Sequence, residues 1–211
     1  MPSNPNTSLV YIADPMCSWC WGFSPVMGAI RGKYQGLVSI ELLVGGLRPG
    51  NTERFDERRR DTILGHWKAV QERTGQPFNF EFRMSPSFTY DTEPSSRAVV
   101  AVRSIRPDLV FQVFHDIQSA FYVDNLNVTQ ETVLADIANA HGIEHHTFLT
   151  SFHDPEIKKR VWQEFDQCRE LGITGFPSLL GKQGEAYTSL THGYVPFETL
   201  SPVIDDWLKQ E

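Results

Sequence analysis

The chain has 211 residues, 40% of them hydrophobic, and a formal net charge of −7 from 26 acidic and 19 basic side chains. That is enough apolar material to bury a core without disulfide staples. An acidic balance with no long basic run excludes the electrostatic footprint of a nucleic-acid or anionic-membrane binder and leaves partners of uncharged or mixed character. No run reaches the ~18 apolar residues of a membrane-spanning helix. The start, Met1 to Ser8, has neither the basic residues nor the apolar run of a secretory leader, so a cytoplasmic setting is expected.

Taken in chain order, Ser8 to Ala13 is a short β-rich apolar run, followed by a Pro-containing turn and a helix predicted over Ser18 to Tyr34. Leu37 to Val44 alternates as a second strand, stopped by Gly45-Gly46 and Pro49-Gly50. The signals then turn helical: Glu53 to Arg73, Pro94 to Ile105, Pro107 to Tyr122, Thr129 to His141, and a turn near His146 to Phe152. Pro94 and Pro107 suit the first turn of a helix. Glu156 to Leu171 is a further helix ended by Gly172, two β runs follow at Pro177 to Gly181 and Glu185 to Leu190, and Phe197 to Lys209 closes as a helix. The simplest assembly is an α/β domain built from residues 1–50 and 153–211, with an all-helical insertion over 51–152.

The chemistry lies where the first strand hands over to the first helix, in Cys17-Ser18-Trp19-Cys20. Three cysteines are too few for a structural framework and are more often catalytic or metal-binding. A thiol is a nucleophile only as its thiolate, and the helix start offers unsatisfied N–H groups and the positive end of the dipole to a negative sulfur at Cys17. Cys20, one turn on, is within reach of that sulfur and can resolve a mixed disulfide. A zinc site would need two further ligands at suitable spacing, and there is neither a second C-x-x-C nor a convergent histidine pair, so no metal is assigned. Two unreactive core thiols remain the bland alternative.

The segment from Asp14 to Phe23 resembles the active-site run of DsbA-like proteins, in particular FrnE-type predicted protein disulfide isomerases. Pro25 matches the proline within the active-site helix of thioredoxins. Gly172-Ile173-Thr174-Gly175-Phe176-Pro177 resembles the loop that carries a cis-proline opposite the dithiol. His66-Trp67, the run Thr74 to Phe78, Tyr90-Asp91-Thr92-Glu93-Pro94 and the run Ala120 to Val123 are similar to segments of the same group, with no chemistry to assign.

The resemblance implies an α/β thioredoxin-like fold with a large helical insertion, and a protein disulfide isomerase or related thiol-disulfide oxidoreductase. Cys17 and Cys20 would be catalytic, while Trp19, Trp21, Phe176 and Pro177 would bind the substrate. Protein or small-molecule thiols and disulfides would be the partners, with no cofactor beyond glutathione as a thiol substrate. A cis Pro177 would hold Phe176 extended, its backbone free to pair with a substrate.

Two departures matter. The family places a buried acid six residues before the first cysteine, and here that residue is Tyr11, so proton transfer must use water or another group. No histidine lies between the cysteines, which points to a less oxidising pair than that of DsbA. The alternative is a glutathione-dependent isomerase or transferase of the 2-hydroxychromene-2-carboxylate isomerase or kappa-class type; such enzymes typically keep a serine where Cys17 stands. A non-catalytic binding module using the rim of Trp19, Trp21 and Phe23 is a third reading. Cys168 shares the apolar spacing of its helix and reads as core.

Overall fold

The computed structural model describes residues 6–85 and 87–210; residues 1–5, read above for a leader, lie outside it with residues 86 and 211. Four strands form one sheet in the order β2-β1-β3-β4, from β1 (Thr7–Ala13), β2 (Ser39–Val44), β3 (Ser178–Gln183) and β4 (Ala186–His192). β1 runs parallel to β2, with Ser8 opposite Ser39 and Ala13 opposite Val44, and antiparallel to β3, with Ile12 opposite Ser178. Every residue of β1 is buried, which accounts for its near-continuous apolar sequence. Leu9, Tyr11 and Ala13 face the main core, while Val10 and Ile12 join Leu180 and Cys168 in a smaller cluster on the opposite face.

Helix α1 (Ser18–Tyr34) follows β1 and passes through Pro25 without a break. Helices α2 (Glu57–Thr74), α3 (Glu93–Ile105), α4 (Val110–Tyr122), α5 (Glu131–Ala140) and α6 (His145–Phe152) then separate β2 from α7 (Pro155–Glu170), and α8 (Phe197–Leu208) ends the chain. The fold is therefore the expected α/β thioredoxin-like core carrying a large helical insertion.

Several ends differ from expectation for local reasons. α2 starts at Glu57 because Asp56 caps it, accepting from Arg59 N at 2.9 Å, and it stops at Gly75, whose φ of 76° lets its N–H reach Gln71 O. α7 starts at Pro155, with Asp154 accepting from Glu156 N. The turn expected near His146 is a full helix, α6. Between α2 and α3 the described residues form no helix or named strand, yet Phe78, Phe82, Phe88 and Tyr90 gather with Trp67 and Phe121 into an aromatic core. Arg103 of α3 pairs with Glu164 of α7, and Glu164 accepts from Val44 N at 3.0 Å, so the insertion is tied to the end of β2 beside the active-site turn.

Candidate active site

β1 ends at Ala13, the chain turns through Asp14-Pro15-Met16, and Cys17 is the N-cap of α1. Cys17 N donates to Asp14 O at 3.0 Å, and Cys17 O accepts from Trp21 N at 3.1 Å. Its side chain makes no capping hydrogen bond, and the residue is 6% exposed. Across from it the Phe176-Pro177 peptide bond is cis, as the sequence suggested. The Cys17 thiol donates to the Phe176 carbonyl at 3.6 Å, bringing the start of α1 and the loop before β3 together.

Cys20 lies one turn deeper with no exposure. Burial pushes its thiol well above the ordinary range, and the neighbouring Cys17 adds to this, while the Asp14 backbone amide pulls the other way. All three cysteines are reduced. The pair is thus asymmetric: one sulfur lies at the seam between α1 and the cis-proline loop, and the other is sealed beneath it.

The turn before Cys17 is held from outside. Asp14 is fully buried; its carboxylate accepts from Met16 N at 2.8 Å and Leu47 N at 2.7 Å. Burial raises its pKa to about 6, against the downward pull of those two N–H groups. Tyr90 donates its hydroxyl to Met16 O at 2.5 Å. Gln76 donates to Trp21 O and Ser24 Oγ, both at 2.9 Å.

The expected aromatic rim is only partly present. Trp19 is half-buried against Tyr194, with ring centroids 6.1 Å apart. Trp21 is 3% exposed, stacks on Tyr122 and donates its indole N–H to Pro77 O at 2.9 Å. Helical spacing turns Trp21 toward the insertion, so it packs there instead of joining the rim. Phe176 is half-buried, its ring over Gly45, and Pro177 is buried. Cys168 is buried on the far face of the sheet, its thiol pushed up to about 12 by burial. Among the described residues no group of three His, Cys, Asp or Glu side chains converges as a metal site.

The family model of the DSBA-like thioredoxin domain matches residues 9–205. The chain belongs to this family. A crystal structure of a candidate protein disulfide isomerase from Nitrosomonas europaea is 41% identical, covers 98% of this chain and 99% of its own, and superposes with a TM-score of 0.91. The cytosolic disulfide reductase DsbM from Pseudomonas aeruginosa is 22% identical, with 97% and 100% coverage and a TM-score of 0.79. DsbM has also been crystallised with GSH; at this level of identity the likeness is one of fold. Among curated proteins, the ClpXP adapter protein SpxH of Shouchella clausii (strain KSM-K16) is 20% identical over 99% of this chain and 69% of its own length. The chain spans about two thirds of the length of the curated relatives it matches.

Within this DsbA-like frame, sequence reasoning missed the groups that brace the dithiol. Tyr90 and Thr92 stood in a recognised run with no role to assign. In three dimensions Tyr90 holds Met16, and Thr92 Oγ1 accepts from Arg48 N in the loop that also binds Asp14. The one sequence signal was Asp14 itself, an acid between an apolar strand and a reactive helix start.

Proposed function

We propose that the protein is a thiol-disulfide oxidoreductase of protein disulfide isomerase type, resembling the FrnE-type proteins, in which Cys17 attacks and Cys20 resolves. The Cys17 thiolate forms a bond to one sulfur of a substrate disulfide, and the other sulfur leaves with the electron pair and takes up a proton. Cys20 then attacks Cys17, forming the Cys17-Cys20 disulfide and releasing the second substrate thiol. The substrate is reduced by two electrons and the protein is oxidised by two. Isomerisation follows when a substrate thiol, in place of Cys20, attacks the mixed disulfide.

The observation that carries this reading is the placement of Cys17: N-cap of α1, 3.6 Å from Phe176 O, with Cys20 sealed directly behind. The Phe176 backbone, held by Pro177, is the docking edge for an extended substrate, and Trp19 supplies an apolar flank. Residues 51–152 act as the insertion that braces this edge. A cytosolic, reducing setting fits reduction or isomerisation better than oxidation.

The pairing of DsbM with GSH supports glutathione as one thiol partner here. A glutathione-dependent isomerase using only the sulfur of bound glutathione would have no use for Cys20. The adapter role carried in the SpxH name belongs to those longer proteins.

Thiol trapping across a reduced/oxidised glutathione series, with Cys17→Ser and Cys20→Ser alongside, tests the reading. The expected result is one reversible two-electron couple lost in both variants, with a glutathione adduct accumulating in Cys20→Ser only. Absence of an intramolecular disulfide at every poise would refute the dithiol mechanism.

A further inference from the structure

Between α1 and α4 lies a pocket of about 280 Å³. None of its lining residues belongs to the C-x-x-C or to the cis-proline loop, so it is separate from the seam at Cys17. Gly28 of α1 lines the pocket and contributes no side chain to fill it; a Cβ built there would meet nothing within 4 Å. Met27 and Phe114, both buried, give the inner part of the pocket an apolar surface, and the ring of Phe111 extends it.

Contacts between the two helices fix the ends of this space. The Arg31 guanidinium lies over the Phe111 ring, 4.4 Å from its centroid, while further back along α1 Trp21 meets His115 with ring centroids 5.4 Å apart. Arg31 therefore marks one end and His115 the other. At the His115 end the charges are matched. Asp116 Oδ1 bonds His115 at 2.9 Å and Oδ2 bonds His141 at 2.7 Å, so both oxygens of this acid are engaged. At the other end Arg31 is half-buried, and burial draws its pKa down. Its guanidinium makes no hydrogen bond or ion pair with any other described residue.

A partly desolvated guanidinium with no carboxylate from its own chain presents a planar N–H fork that matches a carboxylate from outside. An apolar pocket with one such polar group at its edge has the usual make-up of a small-molecule site, and its volume falls just below the range of about 300–1,000 Å³ for drug-sized ligands. It suits a smaller molecule. One cation at one end, with an acid at the other, suits a single negative charge and disfavours a dianion.

We propose that the α1–α4 pocket binds a small monocarboxylic acid, its apolar chain against Met27 and Phe114 beside Gly28 and its carboxylate paired with Arg31. Binding here makes and breaks no covalent bond, and it does not depend on the oxidoreductase reading.

Octanoate is the probe. The full chain is titrated by calorimetry with octanoate and with octanamide, which has the same chain without the charge, and ¹H–¹⁵N spectra locate the residues that respond. Two variants are compared with wild type. Gly28→Leu places a branched side chain in the open space and replaces a glycine that weakens the helix. Arg31→Gln removes the charge.

Wild type should bind octanoate saturably, with shifts at Gly28, Phe111 and His115. Octanamide should bind on the order of ten-fold more weakly, the low end for losing a hydrogen bond to a charged group. Gly28→Leu should lose both ligands, Arg31→Gln should bind octanoate no better than octanamide, and Cys17→Ser should bind octanoate as wild type does. No saturable binding, shifts confined to the residues around Cys17 and Phe176, or an octanoate affinity unchanged in Gly28→Leu or in Arg31→Gln would each overturn the site. Thiol trapping decides the dithiol mechanism separately, so either reading can fail without the other.

Discussion

A methyl group added at Gly45 tests how the cis-proline loop is held against the dithiol. Gly45 follows β2 and is pinned there, its N–H donating to Ala13 O at 2.8 Å. An alanine Cβ would stand 2.1 Å from Phe176 Cε1 and 2.4 Å from Cζ, where contacting carbons prefer about 3.5–4.0 Å. The clash therefore demands a displacement of more than about 1 Å. The backbone cannot supply it, because Ser178, two residues on, is already paired with Ile12 in the sheet, and Val44 is held by Glu164.

The Phe176 ring must rotate away instead, losing its contact with the glycine and disturbing the carbonyl that accepts from Cys17. Overpacking of this kind costs about 1–3 kcal/mol, and each kcal/mol lowers Tm by roughly 2–4 °C in a chain of this size. Gly45→Ala should thus fold with a lower urea midpoint and reduce insulin disulfides more slowly than its stability loss accounts for. Equal stability and equal rate in the variant would show that the ring is not seated on Gly45 and that this contact does not shape the docking edge.

Three other outcomes follow from the same geometry. Tyr90→Phe deletes the donor to the buried Met16 carbonyl and should cost about 1–3 kcal/mol by urea denaturation; no loss would mean that the turn does not need this bond. Asp14 is raised from 3.8 to about 6, so the fold favours its protonated form. The corresponding stability, roughly 3 kcal/mol, is fully present below pH 3.8 and is lost as pH rises through 6. Asp14→Asn, always neutral, should lack that slope, and a wild-type-minus-variant difference flat across this window would contradict the assignment. Cys168, its thiol held near 12, should resist iodoacetamide in the native protein and react only in denaturant; native labelling at the rate of Cys17 would place it at the surface.

How much of this was legible in the sequence depends on the range over which each feature is determined. β1 and α1 could be read because strand burial and helix periodicity are local, and the C-x-x-C at their junction carries its geometry in its spacing. Pro177 was placed by resemblance. The aromatic core between α2 and α3 was not legible: Phe78, Phe82, Phe88 and Tyr90 follow no helical or strand period, and they meet only because Trp67 and Phe121 come to them from separate helices. The role of Asp14 was hidden for a similar reason, since one of its partners, Leu47, is 33 residues away. Trp21 misled as a rim residue because an aromatic beside a reactive pair reads the same whether it faces substrate or, as here, the Pro77 carbonyl.

The division of labour between the cysteines is a product of the same folding. A C-x-x-C on a bare helix would leave both thiols about equally wet. Here Tyr11 of β1 stacks on Phe23 of α1 and Cys20 has no exposure, while the insertion, through Gln76, Tyr90 and the Pro77 carbonyl, clamps the start of α1 from the side. Only the seam toward Phe176 is left for Cys17. The helical insertion thus helps leave Cys17 at the seam and Cys20 sealed, the asymmetry that the proposed division between attacking and resolving thiol requires. A substitution that loosens the clamp without touching either sulfur should change the order in which they react before it changes whether they react.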